Sequence, residues 1–163
     1  HTKSEFLEDI AVSLAGLAAE RLVFNEQTTG ASNDLKVSTA LARRLVTVYG
    51  MSDEMGPMTF GDTHEMIFLG RDLAEQRNYS EEVAAKIDKE VAKIMKQGYE
   101  VATAVLNKHR DKLDIIAKKL VEQETLEQEQ FAELVRDIIP AHKLKHPEEI
   151  AVEHVHKEKE TKK

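Results

Sequence analysis

Val83, Ile87, Val91, Ile94, Gly98, Ala102 and Val105 recur at spacings of three and four, a period that places all seven on one face of an α-helix. A stripe this long must be covered by surfaces of similar length, and other helices packed antiparallel to it are the natural solution. Ser80 precedes the stripe as an N-cap, and the helix it opens is the longest element expected in the chain. Gly98 sits inside the stripe, where glycine costs about 1 kcal/mol relative to alanine. Its presence there implies that another helix comes close.

The remaining helices are legible from their ends. Thr2-Lys3-Ser4-Glu5 has the form of a capping box and predicts a helix from about Thr2 to Phe24. Between Ile10 and Phe24 only Ser13, Glu20 and Arg21 are polar, so this helix is expected to run through the interior. Ser32 is the expected N-cap of a second helix reaching about Tyr49, with Leu35, Leu41, Ala42, Leu45 and Tyr49 on one face and Gly50 as the stop. Segments 111–124 and 126–139 complete the set, the last opening on a second capping box at Thr125-Leu126-Glu127-Gln128. Between Gly50 and Tyr79 lie four of the seven glycines and Pro57. This stretch is expected to be irregular, with Met58–Phe60 and Met66–Leu69 as short runs able to pair as a hairpin.

The expected fold is therefore mostly α, a bundle of about five helices over residues 1–139, followed by a polar, solvated tail over 140–163. Aromatics at 5% and no tryptophan suit a core of Ala, Leu, Val and Ile. A net charge of −7 without a clustered basic patch argues against a nucleic-acid partner. Without cysteine there is neither a disulfide framework nor a thiolate nucleophile. No run approaches the roughly 20 apolar residues of a membrane span. A chain that begins at His1 instead of Met is expected to be a piece of a longer one.

Two carboxylates stand out chemically. Asp34 falls in the first turn of the second helix, after a glycine-containing loop. Its oxygen either complements the helix dipole or ligates a cation, zinc accepting such an oxygen at about 2.0–2.2 Å. Glu20 sits in an apolar run and needs a partner, for which Arg43 or Arg44 would serve as an ion pair.

The chain carries Leu14-Ala15-Gly16-Leu17-Ala18-Ala19-Glu20, then Thr28-Thr29-Gly30-Ala31-Ser32-Asn33-Asp34, Leu41-Ala42-Arg43 and Tyr49-Gly50-Met51-Ser52-Asp53. Together these runs resemble the FtsH family of membrane-anchored, ATP-dependent zinc metalloproteases, in the C-terminal part of the peptidase domain, and the match extends weakly to about Ile139. The resemblance implies a zinc metalloendopeptidase in which an upstream H-E-x-x-H helix supplies two histidine ligands and the general-base glutamate. It implies Asp34 as the third protein ligand and Glu20 as a support that orients a ligand histidine. A zinc-activated water would then hydrolyse peptide bonds of protein substrates delivered by an ATP-binding ring. A homo-hexamer is implied too, anchored in a membrane by upstream segments. The peptidase side would be cytoplasmic in bacteria, or the organelle equivalent.

The departures matter. The family commonly has Gly-Gly-Arg at Ala15-Gly16-Leu17, and a second glutamate at Arg21. No H-E-x-x-H occurs: His64-Glu65-Met66-Ile67-Phe68 places phenylalanine at the second ligand position. No catalytic residue is therefore expected within this chain, and the chain alone is expected to be inactive. His142 with His146, and His154 with His156, have spacings that a metal could use, but lie in the polar tail without supporting carboxylates. His109 is read as structural, at a helix end. The competing reading is a helical oligomerisation or interaction module without catalysis.

Overall fold

The structure is a computed structural model describing residues 1–61 and 79–139. Helix α1 (Lys3–Phe24) opens on the expected capping box: Thr2 Oγ1 accepts from the Glu5 amide at 3.2 Å and the Glu5 carboxylate accepts from the Thr2 amide at 2.7 Å. It ends at Asn25, whose positive φ of 53° suits a residue that tolerates the left-handed region. A short 3-10 turn (Thr29–Ala31) leads into α2 (Ser32–Thr47), after which come α3 (Glu81–Lys108), α4 (Arg110–Gln123) and α5 (Gln128–Val135).

The chain divides into two compact units, the first running His1–Lys108 and the second beginning at His109. In the first, α1, α2 and α3 pack around Ile10, Leu14, Ala42, Leu45, Val46, Ile87, Val91 and Ile94, all buried. Full burial of a side chain of this size contributes roughly 1.5–3 kcal/mol. The α3 stripe meets that core through Ile87, Val91, Ile94, Gly98 and Ala102, but Val105 lies beyond it and is 54% exposed. Gly98 is the point of closest approach. A Cβ there would stand 2.8 Å from Ile10 Cγ2, so the glycine is what lets α1 and α3 touch. Leu35, Leu41 and Tyr49 join the core from α2 and its end, as their spacing implies.

The all-round apolar character of α1 does not put it in the interior. Ile10, Ala11, Leu14, Leu17 and Ala18 are buried, whereas Val12 is 75% and Phe24 72% exposed. The buried residues of α1 recur at spacings of three and four, so the helices packed on it, α2 and α3, cover one face.

Two caps differ from expectation. Residue Ala31 holds the N-cap position of α2 with no side-chain hydrogen bond, because the preceding 3-10 turn feeds straight into the helix and takes over what Ser32 was expected to do. The α5 capping box is Glu127 with Gln130, not Thr125 with Gln128: the Glu127 amide donates to Gln130 Oε1 at 3.0 Å. A carboxylate closer to the helix accepts as well as a hydroxyl, and the helix starts two residues later than read. In the second unit Lys112 also pairs with Asp137 at 2.7 Å, which holds the Asp137 carboxyl below its ordinary value.

Residues 50–61 are irregular, and Met58–Phe60 is not a strand. Met66–Leu69, the other half of the expected hairpin, lies outside the described residues, as do His64 and the tail histidines His142, His146, His154 and His156.

Candidate functional site

The loop between α1 and α2 is organised by one carboxylate. Glu20, half-buried in the last two turns of α1, accepts from the Thr28 amide at 3.2 Å and from the Thr28 hydroxyl at 3.0 Å. Thr28 Oγ1 in turn accepts from the Gly30 amide at 3.1 Å, which caps the 3-10 turn. Ala31 plugs the end of that turn into the core at 6% exposure. The partner of Glu20 is thus a threonine and not an arginine: Arg43 reaches across to Asp88 at 2.8 Å, and Arg44 lies against the ring and hydroxyl of Tyr49. A neutral partner with two donors satisfies the carboxylate without fixing a second charge beside it.

Asp34 is the third residue of α2, exposed, in the first turn. Its backbone carbonyl accepts from the Ser38 hydroxyl at 2.6 Å, which holds the turn. Its carboxylate makes no hydrogen bond or ion pair with a described residue. A free carboxylate on a braced first turn can complement the helix dipole and can also donate an oxygen to a cation. Among the described residues no three His, Cys, Asp or Glu side chains come together as a metal cage.

A second polar knot is invisible to motif reading. Glu90, in the middle of α3 and 6% exposed, accepts from the Ser52 hydroxyl at 2.7 Å and pairs with Lys93 at 3.2 Å. Burial pushes this carboxyl up, but the Ser52 hydroxyl and the Lys93 ammonium outweigh burial and hold it below its ordinary value. Ser52 Oγ also accepts from the Met55 amide at 3.1 Å, so the loop after α2 is clamped to α3. Around it Gly50 takes a positive φ of 60°, Tyr49 stacks on Phe6 at 5.3 Å, and Asp53 pairs with Lys3 at 2.8 Å.

The residues of Tyr49-Gly50-Met51-Ser52-Asp53 thus tie the loop to α1 and α3. The sequence profile of peptidase family M41 matches residues 1–134. The chain belongs to that family. Its relatives include an ATP-dependent zinc metalloprotease FtsH 1 of Thermomicrobium roseum, 53% identical over 126 residues, which are 77% of this chain and 19% of that protein. The ATP-dependent zinc metalloprotease FtsH of Chloroflexus aggregans is 50% identical over 141 residues, 85% of this chain and 22% of the relative. That of Caldicellulosiruptor bescii is 49% identical over 134 residues, 82% and 22%. This M41 chain spans about a fifth of the length of these curated relatives.

Sequence reasoning singled out Asp34 and Glu20 in this M41 segment but missed Thr28 as the partner of Glu20, and missed Glu90 altogether. Glu90 lies three residues after Ile87 and four before Ile94, and so on the edge of the apolar stripe. A carboxylate at the border of a buried face is the signal that would have marked it.

Proposed function

We propose that this chain is the part of a membrane-anchored, ATP-dependent zinc metalloendopeptidase that lies downstream of its H-E-x-x-H helix, with Asp34 as the third protein ligand of the metal. The observation that carries the reading is the Asp34 carboxylate, exposed and without a described partner on a turn braced by Ser38, in a chain that is half identical to proteins named zinc metalloproteases.

Zinc, when bound, polarises the scissile carbonyl and acidifies water. The chain's own residues contribute position and charge. Asp34 presents one anionic oxygen from a fixed turn, and Glu20, on the neighbouring helix end, keeps the loop before it folded down. A carboxylate has about four acceptor directions; the Thr28 amide donates to Glu20 Oε2, and the Thr28 hydroxyl is shared between Oε1 at 3.0 Å and Oε2 at 3.2 Å. A direction left over is open to a ligand imidazole N–H contributed from upstream.

On this reading residues 1–139 form the peptidase part, and the expected tail over 140–163 lies outside the described residues. The whole protein is a homo-hexamer that receives protein substrates from its ATPase ring, with the peptidase on the cytoplasmic face or its organelle equivalent. No helix among the described residues is long and apolar enough to cross a membrane. The chain alone, with one ligand corner, does not cleave.

The test is Asp34→Ala in the full-length protein. Zinc content and proteolysis are expected to be lost while ATP hydrolysis continues. Unchanged proteolysis with full zinc would refute the ligand role.

A further inference from the structure

Helix α2 begins without a side-chain cap of its own, and yet its first turn carries the carboxylate that matters. What fixes that turn lies upstream. Thr28 stands at the centre of three hydrogen bonds: its amide and its hydroxyl both donate to Glu20, and the same hydroxyl oxygen accepts from the Gly30 amide. The last of these closes the 3-10 turn, and the Ser32 amide then donates to the Thr29 carbonyl, handing the chain over to α2. Ala31, between the two, is buried at 6% exposure. Gly30 allows this closeness, since a Cβ there would sit 3.2 Å from Thr28 Oγ1 and 3.5 Å from Glu20 Oε1.

We infer that Thr28 is a positioning residue for the metal site: with Glu20 it forms a latch between the end of α1 and the start of α2 that sets where Asp34 presents its oxygen. The inference rests on the reading of Asp34 as a ligand. It assigns Glu20 a second task, acting on Asp34 through Thr28 and the 3-10 turn, besides any contact with an imidazole. The hydroxyl is the working group, because it alone both donates to Glu20 and accepts from Gly30. Valine has the same shape and can do neither. Serine can do both.

The experiment compares zinc dissociation constants, measured by competition with a chromophoric chelator, for the full-length wild type and its Thr28→Val, Thr28→Ser and Asp34→Ala variants. Circular dichroism verifies that each is folded. Outer partners of metal ligands are typically worth about 10–100-fold in affinity, and Thr28→Val is expected to weaken zinc binding within that range. Thr28→Ser is expected to stay within about threefold of wild type, since outer-partner losses follow from the missing hydrogen bonds and not from the missing methyl. Wild-type affinity in Thr28→Val beside lost zinc in Asp34→Ala would overturn the latch and leave the ligand reading intact. Equal losses in Thr28→Ser and Thr28→Val would overturn the role of the hydroxyl. Zinc retained in Asp34→Ala would overturn the ligand reading, and the latch with it.

Discussion

Gly98→Ala sets two effects of similar size against each other, and the structure says which wins. At an exposed position in a helix the change would stabilise by about 1 kcal/mol, through helix propensity alone. Here the new methyl would stand 2.8 Å from Ile10 Cγ2 and 3.5 Å from both the Ala11 amide nitrogen and Leu14 Cδ1. Ile10 is wholly buried, at 0% exposure, and its Cγ2 hangs directly from a β-branched carbon whose χ1 is stiff. The methyl cannot swing aside, so α1 itself must shift away from α3. Overpacking of this kind costs about 1–3 kcal/mol. Because the backbone of α1 is also in contact range, the upper half of that span applies, and the net change is a loss of about 1–2 kcal/mol after the propensity gain. Urea unfolding of the 163-residue chain, followed by circular dichroism, should show a lower midpoint with an unchanged slope. Ile10→Leu removes the offending branch, so the double variant should be more stable than the two single changes sum to, by about 0.5 kcal/mol or more. A raised midpoint for Gly98→Ala, or a coupling near zero, would refute the argument that Gly98 serves the helix contact.

Two further outcomes follow from polar groups. Ser52→Ala should cost about 1.5–3 kcal/mol, the worth of a hydrogen bond to a charged group, because Glu90 is left buried with Lys93 alone. Glu90 titrates below its ordinary value in the folded chain, so its contribution is complete above the unfolded carboxylate range, about pH 4.3, and is lost as pH falls through the lower folded value. The gap between wild type and Ser52→Ala should therefore be widest near neutral pH and shrink in acid, and a constant gap in pH-dependent urea titrations would separate Ser52 from the ionisation of Glu90. Glu124→Gly should stabilise the chain by up to about 1 kcal/mol in thermal unfolding, since Glu124 ends α4 at a φ of 62° that a side chain disfavours. A lower melting temperature would show that the Glu124 side chain contributes more than its backbone strain costs.

What could be read in the sequence was what repeats or what caps. The α3 stripe, the Thr2–Glu5 box and the close approach at Gly98 are local or periodic; the box and the close approach appear in the structure as read, and the stripe does so up to Ala102, with Val105 left exposed. What escaped was set by geometry between elements. The Glu20–Thr28 bond spans eight residues across a loop with no period, so charge alone pointed to Arg43 or Arg44 and nothing in the sequence pointed to Thr28. Apolar residues on every side of α1 implied burial on every side, but a helix is buried only where neighbours reach it, and Val12 and Phe24 are left out. Thr125 had the spacing of a cap, and Glu127 took the place because the chain turned two residues later.

The same geometry divides the family-like runs by what they do. Tyr49 stacks on Phe6, Gly50 makes the left-handed turn, Ser52 holds Glu90, Asp53 meets Lys3 and Arg43 meets Asp88. All of these hold the three-helix unit together, and a chain could keep every one of them without cutting a peptide bond. Asp34 is the opposite case: exposed and without a described partner, it contributes nothing to the frame that alanine would take away except its charge at the helix start, worth about 0.3–1 kcal/mol. A residue whose removal barely moves stability but abolishes metal binding is one retained for chemistry. Comparing the two measurements at Asp34 therefore separates a working protease segment from a helical module that has kept only the scaffold, which identity to the relatives cannot do by itself.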